Sequence, residues 1–533
     1  MKPKPFFVSP AAIVLLILLL MPVIQAASPP PDLDVVVERA RKEFTIPGIA
    51  IAIVQDGQKV VVKGYGVRTI NEPAPVDPET IFNIASNSKG FTAAALAMLV
   101  DEGKLRWDDP VTKHLPTFQL FDPWVTREIT LRDILSHRSG LGSGAGDLLW
   151  WPEADYTPDE IVFRLRFIKP ATSFRSEYAY NNCLYIVAGQ VLQAAAAQSW
   201  DAFIRDRVFA PLGMKHSSIG KDALPSVTNK AISHLFADGR LQTVDFMNGA
   251  NEGPAGGINS CVEDMAQWAI ALLEANATRH ENDGKKRLFS REQLHELWSI
   301  HTPRPTDNPP PDDTALKSNF SAYGLGFELS DMAGRKIVSH LGSYPGQRSG
   351  MMLIPDLRLG IVVLSNLDSD EALGSLMLYL VNHYVGAPNR DWIKLLHENV
   401  AEEEARMAKR LQDRATKRQQ NSKPSLPLEK YAGDYVDAWY GKVSLRLEEG
   451  TLVLRFNHTR RMVGNLEHWQ HDTFVARWRE RTLNADAFVY FALKPDGAID
   501  GMKLAKFSPK TDFSFDFQDL NFKPAPAPAA GKH

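Results

Sequence analysis

Strand-like runs stand at two places far apart in the chain, and that separation constrains the fold more than any other feature. Residues 49–55 and 59–65 are β-branched, apolar-rich runs joined by Asp56-Gly57. Asp-Gly favours the left-handed backbone of a tight hairpin turn. Strand-like runs return at 336–340, 350–354 and 359–364. Between the two groups lies helical material, including an uninterrupted apolar stretch over 93–100 that closes at Glu102-Gly103, with glycine as the stop. A helical stretch over 35–44 precedes the first hairpin. Strands at both ends with helices between predict an α/β sheet whose first and last parts are distant in sequence.

Beyond this segment the pattern changes twice. Residues 302–313 carry five prolines and read as a surface loop, and 386–388 end the strand-and-helix region. Residues 392–420 are densely charged with both signs mixed, which predicts a solvated helical linker rather than a nucleic-acid patch. Pro424 and Pro427 break it. From 428 to 522 the chain alternates apolar and polar residues, as at 442–447, 451–456, 473–478 and 487–493, and reads as a small antiparallel sheet or barrel. A Pro-Ala tail follows Lys523 and is predicted to be disordered.

Composition narrows the function. Apolar residues make up 44% and charged residues 23% of the 533, enough to build a packed core. Lys and Arg number 60 against 63 Asp and Glu, a balance that argues against a nucleic-acid partner. Two cysteines in so long a chain exclude a disulfide scaffold and a cysteine-based zinc module. Cys183 and Cys261 read as buried free thiols, although an oxidising compartment would permit a bridge. At the N-terminus, Lys2 and Lys4 precede an apolar run over 11–21, then Pro22 and Ile24-Gln25-Ala26-Ala27. This is the pattern of a secretory signal peptide over 1–26, an uncleaved anchor being the alternative. The run is short of the ~20 residues a span needs. No stable membrane span is expected after cleavage, and the mature protein is expected in the periplasm or outside the cell.

Several motifs fall short. His295-Glu296 begins a zinc-protease pattern, but Ser299 stands where the second ligand is needed. No serine sits in Gly-x-Ser-x-Gly. Residues 140–146 are glycine-rich but match no nucleotide-binding pattern and read as a loop. One spacing carries chemistry. Ser86-Asn87-Ser88-Lys89 lies at the mouth of the apolar helix, and residues three apart share a helix face. A serine hydroxyl is a weak nucleophile that needs an adjacent base, which a buried lysine of lowered pKa can supply. Alone, the tetrapeptide is equally an N-cap serine followed by a surface lysine.

Tyr180-Asn181-Asn182 and His340-Leu341-Gly342 follow in order, together with the stretches 135–141, 254–257 and 323–326. This series resembles the serine β-lactamase-like superfamily of class C β-lactamases, D-peptidases, penicillin-binding enzymes and esterases, over residues 32–384. The resemblance implies an antiparallel sheet flanked by helices plus an all-helical subdomain, as a catalytic domain over 32–390. A charged linker over 391–427, a β-rich unit over 428–522 and a tail over 523–533 complete the expected organisation. Leu428-x-x-Tyr431-x-Gly433-x-Tyr435 resembles the start of the small lipocalin-like barrel appended to some members.

The resemblance also implies roles. Ser86 would be the acylated nucleophile, Lys89 and Tyr180 the base and proton relay, and Asn182 the side chain that orients the nucleophile region and the substrate carbonyl. Gly342 would help bind substrate, and the backbone N–H groups of Ser86 and Ser343 would form the oxyanion hole. His340 stands where class C β-lactamases and many peptidases carry lysine, and where many esterase-like members carry histidine. A mostly neutral imidazole recognises a substrate carboxylate more weakly than lysine does. The expected function is an exported serine hydrolase of esters, amides or small peptides, with no cofactor and no metal. β-Lactamase or DD-peptidase activity, acyl transfer and a catalytically silent envelope-binding role are the alternatives, and a homo-oligomer is allowed. His137 reads as structural. Trp150 and Trp151 either line the acyl pocket or pack a lid.

Overall fold

The computed structural model describes residues 28–220, 224–246, 251–276, 287–306, 317–388 and 390–526. The expected signal peptide, most of the proline loop, residues 247–250 and the end of the tail lie outside the described residues.

The expected sheet forms from both ends of its segment. Its eight strands run in the spatial order Gln58–Gly66, Gly48–Gln55, Leu359–Ser365, Gln347–Ile354, Arg335–Tyr344, Glu328–Met332, Ser321–Tyr323 and Thr302–Arg304. Every neighbouring pair is antiparallel. The hairpin turns through Asp56 (φ 52°) and Gly57 (φ 78°), and Ile49 pairs with Ser365 to bring the first strand against the last. The strand Gly48–Gln55 is buried along its whole length. Its alternate residues feed two cores, as a period of two requires. Ala50, Ala52 and Val54 join the core of Trp268 and the helix Val262–Asn276, whereas Ile49, Ile51 and Ile53 join Val37, Leu373 and Leu376 beneath the helices Leu33–Glu43 and Asp370–Val385. Each buried Ile or Val here contributes about 1.5–3 kcal/mol.

The segment between the strands supplies a helical subdomain. The helix Ser88–Asp101 is buried from Ser88 through Leu99, apolar on every side, as befits a helix enclosed by others. Phe91 stacks on Trp268 with centroids 4.1 Å apart. The helix Cys183–Ala196 packs against it. Cys183 and Cys261 are both free and buried.

The charged stretch is the helix Trp392–Thr416, mostly exposed as its composition suggests and anchored at a few points. Trp392, Ile393 and Met407 are buried, and just past its end Arg418 Nε donates to Trp469 O at 2.6 Å. The C-terminal unit is an eight-stranded antiparallel barrel. Four of its strands, Gly433–Asp437, Val463–Gln470, Ile499–Lys506 and Lys523–Pro524, lie outside the runs read from alternation, and the last of them falls in the stretch read as a tail. Its seam is sealed by reciprocal backbone hydrogen bonds between Met502 and Phe522, at 2.9 and 3.0 Å. A small C-terminal barrel is what the sequence suggested. Thr302–Arg304, read as loop, is instead a short edge strand of the large sheet.

The ends of the large sheet are guarded. Lys63 on Gln58–Gly66 pairs with Asp34 at 2.7 Å, and Lys59 pairs with Glu263. At the other end, Thr302–Arg304 has only three residues and carries Pro303.

Asp133 fixes the stretch that leads into the site. It closes a capping box with Thr130 and receives Arg138 Nε at 2.6 Å and Arg175 Nη2 at 2.7 Å, with no exposure of its own. Burial alone would raise its pKa, but hydrogen bonds from Arg175 and Thr130 and the Arg138 charge hold it below the ordinary value. Asp133→Ala is expected to cost about 3 kcal/mol of unfolding free energy in urea titration. Because the native pKa is depressed, this contribution is complete above the ordinary carboxylate range. The difference from wild type should shrink as pH falls through that range.

Candidate active site

The turn that carries Ser86 is strained at Ala85 and braced by its neighbours. Ala85 adopts a left-handed φ of 46°, unusual for a residue with a Cβ. Its N–H donates to Asn83 Oδ1 at 2.7 Å. Ile84 O accepts from Ser349 Oγ at 2.6 Å, and Asn87 Nδ2 donates to the same hydroxyl at 2.8 Å. Ser86 sits in the 3-10 turn Ala85–Asn87 that opens the helix Ser88–Asp101. It is partly exposed, whereas Asn87, Ser88 and Lys89 are buried.

The Lys89 side chain is wholly enclosed. Its Nζ lies 3.0 Å from Ser86 Oγ, 2.8 Å from Asn182 Oδ1 and 2.8 Å from Ala255 O. The two latter oxygens can only accept. A neutral amine has two N–H bonds, one for each, and its lone pair then faces the Ser86 hydroxyl. Desolvation lowers the Lys89 pKa to about 7, with Asp147 and Glu252 opposing the fall. Lysine is therefore placed to exist as the free base near neutrality.

Tyr180 and Asn182 arrive together at the start of the helix Cys183–Ala196. The Tyr180 ring centroid is 4.7 Å from Lys89 Nζ. Its hydroxyl is buried without a hydrogen bond of good geometry. Burial drives its pKa well above 10, and the neighbouring Ser86 hydroxyl offsets part of that rise. Asn182 Nδ2 donates to Asp147 Oδ2 at 2.8 Å.

Two acids that the sequence reading passed over lie within this enclosure. Asp147, fully buried, also accepts from Trp150 Nε1 at 3.0 Å and from Ser514 Oγ at 2.8 Å. Burial raises its pKa to about 7. Glu252 is pushed by burial to about 8, with a hydrogen bond from Tyr344 working against the rise. Their only sequence signal was position. Asp147 follows the glycine-rich stretch, and Glu252 precedes Pro254-Ala255-Gly256-Gly257.

The strand Arg335–Tyr344 forms the opposite wall. Its pairing with Glu328–Met332 ends at Ser339, so residues 340–344 pair on one side only and turn the other edge toward the Ser86 turn. Gly342 is the point of closest approach: a Cβ there would stand 2.3 Å from Ser349 Oγ and 2.4 Å from Ile84 O. Ser343 follows it and is exposed. His340 is buried, and desolvation lowers its pKa to about 3. Its Nδ1 faces Leu341 O at 2.6 Å, an obligate acceptor, so Nδ1 carries the proton and Nε2 accepts from Tyr323 Oη at 2.8 Å. His340 is thus neutral with both nitrogens engaged, and Tyr323, unassigned from sequence, is its partner.

His137 takes a left-handed φ of 58° and accepts from Asn181 N at 3.1 Å through Nδ1, among the rings of Tyr180, Tyr185 and Tyr323. Trp151 packs edge-on against Tyr344 and Phe515. The two tryptophans therefore build a wall behind the site. Among the described residues no group of His, Cys, Asp and Glu side chains is arranged to hold a metal ion.

A helix-flanked antiparallel sheet with the serine turn between sheet and helical subdomain is the β-lactamase fold. The chain belongs to the Beta-lactamase family, whose profile matches residues 33–385. Residues 417–524 match a domain of unknown function, DUF3471. An unguisins hydrolase, ungD, of Aspergillus violaceofuscus is 28% identical over 87% of this chain and 86% of its own. Protein flp of Staphylococcus aureus is 27% identical over 66% of each chain. Among solved structures, the octameric penicillin-binding protein homologue from Pyrococcus abyssi superposes with a TM-score of 0.57 at 22% identity, covering 92% of this chain and 99% of its own. SurE superposes with a TM-score of 0.52 at 19% identity, covering 93% and 99%. Both show the same fold.

Gly342→Ala is expected to destabilise the protein by about 1–3 kcal/mol by forcing the strand away from the serine turn. Thermal unfolding measures the loss. Labelling of Ser86 by a fluorophosphonate should fall more steeply than the folded fraction does.

Proposed function

We propose that the protein is an exported serine hydrolase that cleaves ester or amide bonds through an acyl-enzyme on Ser86. The observation that carries the reading is the Lys89 amine, whose two obligate acceptors leave its lone pair for the Ser86 hydroxyl. Ser86 Oγ attacks the substrate carbonyl carbon as its proton passes to Lys89 Nζ. The oxyanion is received by the backbone N–H groups of Ser86 and Ser343, each such donor contributing about 3 kcal/mol to the transition state. The leaving alcohol or amine takes a proton relayed through Tyr180. Water then attacks the acyl-serine with Lys89 as base, and the acid departs.

Charge supports a preference among substrates. His340 is buried and uncharged where a cation would hold a carboxylate. A carboxylate-bearing β-lactam finds no partner on this strand, whereas a neutral ester does not need one. A hydrolase among the relatives agrees with hydrolysis as the reaction. Lys2, Lys4 and the apolar run over 11–21 support a periplasmic or secreted location.

A fluorophosphonate probe should label the wild type and leave Ser86→Ala unlabelled; equal labelling would overturn the assignment. In a panel of a short-chain p-nitrophenyl ester, a D-amino-acid p-nitroanilide and a chromogenic cephalosporin, the ester is expected to turn over fastest. Lys89→Met should lower ester kcat by about a thousandfold or more. The wild-type pH profile should show kcat/KM falling below about pH 7, where the Lys89 amine takes up its proton and can no longer accept one from Ser86.

A further inference from the structure

The barrel reaches into the site. Its segment 512–517 crosses the glycine-rich loop 140–146, and this contact explains why position 144 is glycine. A Cβ on Gly144 would stand 2.7 Å from Phe513 Cδ2 and 2.8 Å from Phe513 O. Gly146 N donates to Asp516 Oδ2 at 2.8 Å. Phe513 meets Tyr180 edge-on, with centroids 6.0 Å apart. The next residue, Ser514, is buried and donates its hydroxyl to Asp147 Oδ2 at 2.8 Å. Further contacts between the two units fix the arrangement: Arg164 Nη1 to Trp439 O at 2.8 Å, Asp155 to His458 at 2.7 Å and Glu153 to Arg460 at 2.8 Å.

We propose that Ser514 of the C-terminal barrel is a positioning residue for the hydrolytic site, acting through Asp147 and Asn182 on the Lys89 amine. The inference rests on the acyl-enzyme reading above. Its logic is the direction of the hydrogen bonds. Asp147 Oδ2 takes the Asn182 Nδ2 donor while its Oδ1 takes Trp150 Nε1, and this seating holds the Asn182 amide with its nitrogen toward Asp147 and its carbonyl oxygen toward Lys89. That orientation takes up one N–H of the neutral amine and aims the lone pair at Ser86. Ser514 holds the same Asp147 oxygen from the far side, while Asp516 grips the preceding peptide. The Asp147 carboxylate is thereby fixed from both units. Without the barrel, Asp147 would lose Ser514 as a donor and keep only Trp150 and Asn182 to position it.

The test uses the full-length chain with Ser514→Ala, Ser514→Thr and Asp147→Asn. The readouts are the rate of fluorophosphonate labelling at Ser86, the kcat and KM for the p-nitrophenyl ester, and the melting temperature. Ser514→Ala should keep the wild-type melting temperature, and labelling and kcat should both fall about tenfold with KM unchanged. Ser514→Thr restores the hydroxyl and should recover most of the rate. Asp147→Asn, which lets the amide turn over, should lose about a hundredfold while remaining folded. Wild-type labelling rates in Ser514→Ala or Asp147→Asn would overturn the proposal. So would a raised KM with intact kcat, which would make Ser514 a substrate contact. Absence of labelling in the wild type would instead remove the acyl-enzyme reading itself, so the two failures are distinct.

Discussion

A lysine side chain without contact with water is the constraint around which the rest of the site is arranged. Burying an ammonium group costs several kcal/mol unless partners compensate. Lys89 meets that cost by approaching neutrality and by giving its N–H bonds to Asn182 and Ala255. Each partner is then fixed by something else. Ala255 lies in the turn that Glu252 opens, Asn182 is oriented by Asp147, and Asp147 is held by Trp150 and Ser514. One desolvated amine thus links the helical subdomain, the loop before it and the barrel.

The imidazole on the facing strand shows why a motif letter is an incomplete description. His340 suggested a weaker carboxylate site because histidine is mostly neutral. The structure makes it more neutral still, through burial and the nearby Lys89 charge. It belongs to an aromatic cluster with Tyr323, Tyr180 and His137, and packing of that cluster positions Tyr180 beside Lys89.

Much of the fold was legible because its signals are local. Asp56-Gly57 marks a hairpin wherever it stands, and alternation in 451–456 or 473–478 reports a half-buried strand directly. The strands Val463–Gln470 and Ile499–Lys506 were missed because glycine and charged residues interrupt their alternation. The hairpin Ser233–Ala237 and Arg240–Val244 was missed because its runs are short. In the site, Ser86, Lys89, Tyr180 and Asn182 could be read because they fall in spaced motifs. Asp147 and Glu252 could not, because a carboxylate in a loop reads as surface until the fold encloses it. The glycines at 140–146 were read as a loop, but Phe513, which presses on Gly144, comes hundreds of positions later, and no local pattern carries that.

The two sheets deal differently with the same liability. Any strand at the end of a row offers unpaired backbone groups to another chain and so invites aggregation or edge-to-edge assembly. The barrel removes the problem by joining Met502 to Phe522. The large sheet keeps its ends but blunts them, one with the lysines of Gln58–Gly66 and their acidic partners, the other with a three-residue strand carrying Pro303. A second copy therefore gains little by extending either of these two sheets.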